Sequence, residues 1–269
     1  MAEITVTVIN ASELVDDEEV KAAVNVLQTQ VHEHFAPVWG IDAKLTFFSF
    51  GAPRSDKFAD MLAHRPPQGS WWLVILDNSG VGELLGYHDL TDEGLPLGKV
   101  FAETDTQMGR LWTVSASNVL LQMLADPALS LTVFRQTSEV PGRFYAYDVC
   151  NPCRADTYQI NDIGVSNFVY PTWFEWFHES GSGVRFDHLG HMQAPFELLP
   201  GGEIDVLDVN LGTGWRPLLS EGGPYEYPMR LRVGSRRERR RILPDQWQVS
   251  KPRNMLPGRP IPPIRPPPE

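Results

Sequence analysis

The stretch TVSASNVLLQMLADP, residues 113–127, decides how the rest of the chain reads. Thr113 and Val114 suit the edge of a strand. The chain then runs into an apolar helix that ends on the Asp-Pro pair. A helix this apolar belongs inside a protein. Yet it carries two amides, Asn118 and Gln122, one turn apart on the same face.

Working outward, EITVTVIN (3–10) alternates β-branched residues and reads as a strand. The segment 11–40 follows with acids in its first turn. Val20, Val24, Leu27, Val31 and Phe35 recur at helical spacing, and Pro37 and Gly40 close it. AKLTFFSF (43–50) and WWLVILDN (71–78) are apolar runs that predict buried strands. GYHDLTDEGLPLGKVFAET (86–104) reads as a Gly/Pro-punctuated loop leading into a short strand, KVFAET. Beyond residue 130 the character is more β than α: LTVFRQ, RFYAYDVC, TYQINDIGVSNFVYP and EIDVLDVN are short and turn-separated.

The net charge of −11 is unevenly distributed. Residues 229–269 hold eleven Lys+Arg against Glu238, Asp245 and Glu269, a charge of +8, which leaves −19 on the rest. Residues 243–269 contain nine prolines and predict an extended, polyproline-like arm. Nothing resembles a secretory signal or a membrane-spanning run. The two cysteines, Cys150 and Cys153, form no disulfide framework and suit a reducing compartment.

The order strand, helix, strand, strand, short strand, helix resembles the N-terminal half of the zincin metallopeptidases. There the second helix carries His-Glu-x-x-His beneath the edge strand of the sheet. The stretches LGYHDLTDEGLPLGKVF, SASNVLLQMLADP, YAYDVCNPCRADTYQINDIGVSNFVYPTWF and APFELLPGG are similar to a family of bacterial and phage proteins known mainly by sequence. In that family the helix begins Ser-His-Glu and carries a further Glu before Asp-Pro. The resemblance covers residues 70–215 and implies an α+β fold. Residues 1–129 would form a zincin-like mixed sheet with two helices, and 130–228 a β-rich part packed on it. Residues 229–269 would be the basic arm.

Carried over by position, the family's His falls on Asn118, its neighbouring Glu on Val119 and the later Glu on Gln122, while Asp126 is kept. Zinc needs imidazole, thiolate or carboxylate donors and a carboxylate to activate water. Asn118, Val119, Gln122 and Asp126 are therefore degenerate metal-site positions. The resemblance then implies a scaffold without metal, cofactor or catalytic residue. The swaps are close to isosteric, so the helix keeps its packing. Ordinary polar helix residues with no such history are the plainer reading of Asn118 and Gln122.

Other candidates carry less. His32 and His34, flanking Glu33, lie two residues apart on a helix and point to different sides, as solvated residues do. Asp187, His188 and His191 look like a polar turn, with metal binding a lesser option. His88 falls in a loop and is expected to bond backbone. CNPC (150–153) has redox spacing but does not open a helix, so buried or free thiols in a turn are expected. Arg236, Arg237, Arg239, Arg240 and Arg241 form the strongest charge feature, suited to an acidic protein face or, without sequence specificity, to phosphates.

The expected function is that of a non-enzymatic structural or interaction protein, a pseudoenzyme in a virion or related assembly. It would dock through its arm on other subunits, copies of itself included. The expected location is the virion or the cytoplasm of a bacterial host. The alternatives are a metal-dependent hydrolase with ligands displaced to His88, His188, His191 and Asp126, and a soluble peptide-binding protein.

Overall fold

The computed structural model describes residues 3–49, 66–79, 85–137, 142–181, 183–210 and 214–220. The arm over 229–269, with its arginine run, and the stretch 221–228 lie outside the described residues.

Strand β1 (Ile4–Asn10) leads into helix α1 (Asp17–Thr29). Asp16 caps α1 by accepting from the Glu19 N–H at 2.8 Å, and Asp17, Glu18 and Glu19 set carboxylates against the positive end of the helix dipole. The helix widens into a π-helical stretch, Gln30–Phe35, and finishes as α2 (Ala36–Trp39), where the Gly40 N–H bonds the Ala36 carbonyl. The widened turn lets Gln30 and Val31, both fully buried, face the interior together. All five apolar residues of the helical spacing, Val20 to Phe35, are in the core.

The sheet adds β2 (Ala43–Ser49), β3 (Trp71–Leu76), β4 (Gly86–Leu90) and β5 (Pro96–Phe101) in the order β2-β1-β3-β5-β4. Its pairings are parallel except for β4, which runs antiparallel to β5 as the edge strand. Two expectations need correcting here. The stretch read as a loop, GYHDL, is β4, because Thr91–Leu95 closes a hairpin through the Thr91 N–H to Leu95 carbonyl bond (2.7 Å). KVFAET does not continue as a strand either: it ends at Phe101, and Ala102–Gln107 is a short helix, α3.

Helix α4 (Trp112–Ala125) begins earlier than the sequence indicated, so Thr113 and Val114 are helical rather than a strand edge. The polar side chains in its first turns find partners nearby: Thr113 Oγ1 donates to the Gly164 carbonyl and Ser115 Oγ to Asp105 Oδ1, both at 2.8 Å. The two long helices lie on the same face of the sheet and touch each other. Trp112 Nε1 donates to Glu19 Oε1, and Ser117 Oγ to Gln30 Oε1, each at 2.7 Å.

All four segments expected to be β-rich contain strands. β6 (Thr132–Arg135), β7 (Arg143–Ala146), β10 (Glu203–Asp208) and β11 (Trp215–Leu219) make an antiparallel sheet in the order β11-β10-β7-β6. β8 (Thr157–Ile160) and β9 (Ile163–Ser166) form a separate hairpin. One hydrophobic cluster runs through everything, from Val6 and Leu73 through Leu120 and Leu124 to Phe168, Trp173 and Val206. The chain is thus mixed α/β with few helices. Among the described residues, no helix is long and apolar enough to cross a membrane.

Candidate functional site around helix α4

Twelve of the fourteen α4 residues are buried, and Asn118 is one of the two that are not. Gln122, one turn on, is 5 % exposed, and its Nε2 donates to Asn118 Oδ1 at 3.0 Å. The amide pair therefore closes on itself. Val119 points away from any open surface, into the underside of the β4–β5 hairpin. A Cβ placed on Gly98 would meet Val119 Cγ1 at 2.7 Å, and one on Gly86 would meet Val119 Cγ2 at 2.9 Å. A Glu at this position would face the sheet, so Val and Glu are not interchangeable here.

Asp126 ends the helix and organises the next turn. Its carboxylate accepts from the Ser130 N–H (2.9 Å) and the Leu131 N–H (3.2 Å). The Asp126 carbonyl lies 3.0 Å from His88 Nε2, which ties the edge strand to the end of α4. His88 is thus bonded to backbone as expected, but from a strand, and it is 1 % exposed.

A second polar seam starts one residue before Asn118. Ser117 Oγ donates to Gln30 Oε1 and accepts from the Ser166 N–H (3.0 Å). Gln30 Nε2 donates to the Ser166 carbonyl (2.9 Å) and to Tyr158 Oη (3.2 Å). Tyr158 Oη lies 2.9 Å from His34 Nδ1. The His34 ring stacks on His188 at 4.7 Å, and His188 stacks on Phe168 at 5.0 Å. Burial pushes His188 down to about 4, helped by His34 and Arg185, and burial also lowers His34. Burial raises the Tyr158 hydroxyl above its ordinary value. The seam consequently runs as donors from Gln30 through Tyr158 to a neutral His34. It joins α1, α4 and the β8–β9 hairpin. His34 is not the solvated helix residue the sequence suggested, whereas His32 is exposed and pairs with Asp42 at 2.8 Å.

The displaced-ligand set does not assemble. Among the described residues, the one group of three or more potential ligands within 4.8 Å of one another is Asp156, Asp187 and His191. His88 and Asp126 stand apart from it, and His188 belongs to the aromatic stack. Hydrogen bonds within the fold already engage Asp156 Oδ2 and both oxygens of Asp187. Asn167 Nδ2 donates to both carboxylates (2.9 and 2.8 Å), and the Met192 and His191 N–H groups bond Asp187. Hydrogen bonding to Asp156 raises His191 above its ordinary value. These residues fold the 187–192 turn and do not form an open ligand set.

Cys150 and Cys153 are free, fully buried and set at a 3-10 turn, as expected of structural thiols. Burial raises both thiols above their ordinary range, which keeps them from thiolate chemistry at neutral pH. The sequence reading missed Gln30, Ser117 and Tyr158. Only the polar Gln30 within an otherwise apolar helical face hinted at the seam. Compared with protein-family models, curated proteins and solved structures, the chain showed no match.

Proposed function

We propose that the protein is a non-catalytic structural or interaction protein, built on a degenerate zincin-like body, that joins a virion or related assembly through its basic, proline-rich arm. One observation carries this reading: Asn118, Val119, Gln122 and Asp126 each have a structural task. Asn118 and Gln122 bond each other, Val119 fills the space under two sheet glycines, and Asp126 holds the turn after α4. The antiparallel edge strand lying over α4 supports the zincin-like relationship.

Metal analysis of the purified full chain tests the body. The expected result is no stoichiometric zinc, in the wild type and in the Asn118→His/Val119→Glu/Gln122→Glu variant alike. Val119→Glu alone should cost about 3 kcal/mol or more in urea unfolding, because it presses a carboxylate against the sheet. Stoichiometric zinc that disappears on mutating Asp126 or His88 would overturn the proposal. Fractionation tests the arm. The protein should sediment with particles. Replacing Arg236, Arg237, Arg239, Arg240 and Arg241 with Gln should leave it folded but free in the lysate. Equal incorporation of that variant would remove the arm from the account.

A further inference from the structure

One side of the four-stranded sheet carries an apolar row where polar residues are expected. Phe134 pairs with Phe144, Phe144 with Leu207 and Leu207 with Trp215, and residues directly opposite in an antiparallel ladder share a face. The adjacent row turns inward, with Tyr145 at 3 % and Val206 at 1 % exposure. On the outer side the Phe134 and Phe144 rings lie 5.0 Å apart. The Phe134 ring also reaches Gly142, where an added Cβ would meet Phe134 Cζ at 3.1 Å and Val209 Cγ2 at 3.0 Å. Phe134 is 46 % and Val209 50 % exposed and Phe144 and Leu207 are half-buried, whereas Trp215 packs against the core, so the open part of the row is centred on Phe134 and Val209. A solvated sheet face normally alternates to polar side chains, and a contiguous apolar one marks a contact surface. Asp205, on the same side of β10 as Leu207, places a carboxylate at its rim.

We propose that this face receives the proline-rich C-terminal segment of a second copy of the chain, residues 255–264, with Arg259 inside the segment and Arg265 just after it directed at the rim near Asp205. The proposal rests on reading the arm as an assembly element and names its receiver. Three observations select the occupant. The segment MLPGRPIPPI combines prolines with Met255, Leu256, Ile261 and Ile264, the composition that aromatic surfaces bind at low entropic cost. Its positive charge complements a body of net −19. The third is where the chain leaves. The described chain ends at Ser220, one residue past β11, an edge strand of this same sheet. At about 3.1 Å per residue, an extended 243–269 spans roughly 80 Å. A body of this size is only about 45 Å across. Residues 221–254 separate Ser220 from the segment, a length of chain that can reach a neighbour's patch as well as its own.

A photo-reactive phenylalanine analogue placed at position 134 or 209 of the full-length chain tests this, using an equal mixture of isotopically light and heavy protein. Crosslinks from these positions to residues 255–264 should join light to heavy chains. A probe at Leu14, exposed elsewhere, should give none to the arm. Phe134→Asp and Ile261→Asp/Ile264→Asp should each weaken self-association by about tenfold or more in sedimentation, with unfolding midpoints unchanged. Crosslinks confined to single-isotope pairs would place the arm on its own body and overturn the proposal, as would a chain that stays monomeric. If the isoleucine variant loses association and Phe134→Asp does not, the arm assembles but its receiver lies elsewhere. If neither variant loses it, the assembly reading of the arm fails as well.

Discussion

His188 sits between His34 and Phe168, and a second proton-sensitive group, Asp105, lies fully buried beside α4 with Ser115 as its donor. Burial holds His188 at about 4, below the ordinary 6.5, so the folded state prefers the neutral ring. That contribution is present above pH 6.5 and is lost as pH falls towards 4. Burial raises Asp105 to about 6 from 3.8, so its contribution is present below pH 3.8 and is lost as pH rises through 6. Between pH 4 and 6 the two effects oppose each other and the wild type should respond weakly. Substitutions separate them. Asp105→Asn should leave a protein that gains stability as pH rises through this window. His188→Phe, which keeps the stacking, should leave one that loses it, each by on the order of 1 kcal/mol. Urea midpoints across the range provide the measurement. A His188→Phe protein more acid-sensitive than wild type would show that the stacked histidine does not carry the effect.

At the scale of elements, the contact between α4 and the β4–β5 hairpin decides what the helix can be. Gly98 leaves room for Val119 Cγ1 and for Leu73 Cδ1, whereas a Cβ added at Gly86 would meet the Lys99 carbonyl oxygen at 2.8 Å as well as Val119. Gly98→Ala should therefore cost about 2 kcal/mol, and Val119→Ala in the same chain should recover part of it, with a coupling of about 1 kcal/mol. Gly86→Ala should not be rescued in this way, since a backbone oxygen cannot move aside. A double-mutant cycle by urea unfolding reads both; additive energies for Gly98 and Val119 would mean that they do not press on each other. This contact also marks how far the sequence could be read. The α1 core face, the buried strands, α4 and the β-rich segments were legible because their apolar periodicity is local. Strand β4 was not, since Gly86, His88 and Asp89 break the apolar pattern of a strand whose pairing comes from β5. His34 was misread because the π-helical turn shifts the helical face by a residue, and its partners Tyr158 and His188 are far along the chain. The row Phe134–Phe144–Leu207–Trp215 appears only once the register of four strands is known. Its one local sign is Leu207, apolar at the place where EIDVLD alternation calls for a polar residue.

For the whole molecule, the expected division at residue 129 is a change of composition that the core does not follow. Leu120 and Leu124 of α4 share one cluster with Phe168 and Val206, and the Ser117–Gln30–Ser166 hydrogen bonds cross the same boundary. Trp39 Nε1 donates to the Val169 carbonyl at 3.0 Å, a further tie between the first helix and the β-rich part. Neither part can open without exposing apolar surface on the other and leaving Gln30, fully buried, without partners. The body should therefore unfold as one unit, with calorimetric and van't Hoff enthalpies in agreement. Far-ultraviolet dichroism and tryptophan fluorescence should share one midpoint, since Trp71 and Trp72 report on β3 while Trp173 reports on the β-rich part. Ser117→Ala, which strips Gln30 and the Ser166 N–H of a partner, should lower that midpoint, at a cost of about 1–3 kcal/mol in stability, without splitting the transition. Two resolved transitions, or a fluorescence change that precedes the loss of dichroism, would show that residue 129 separates two independently stable domains.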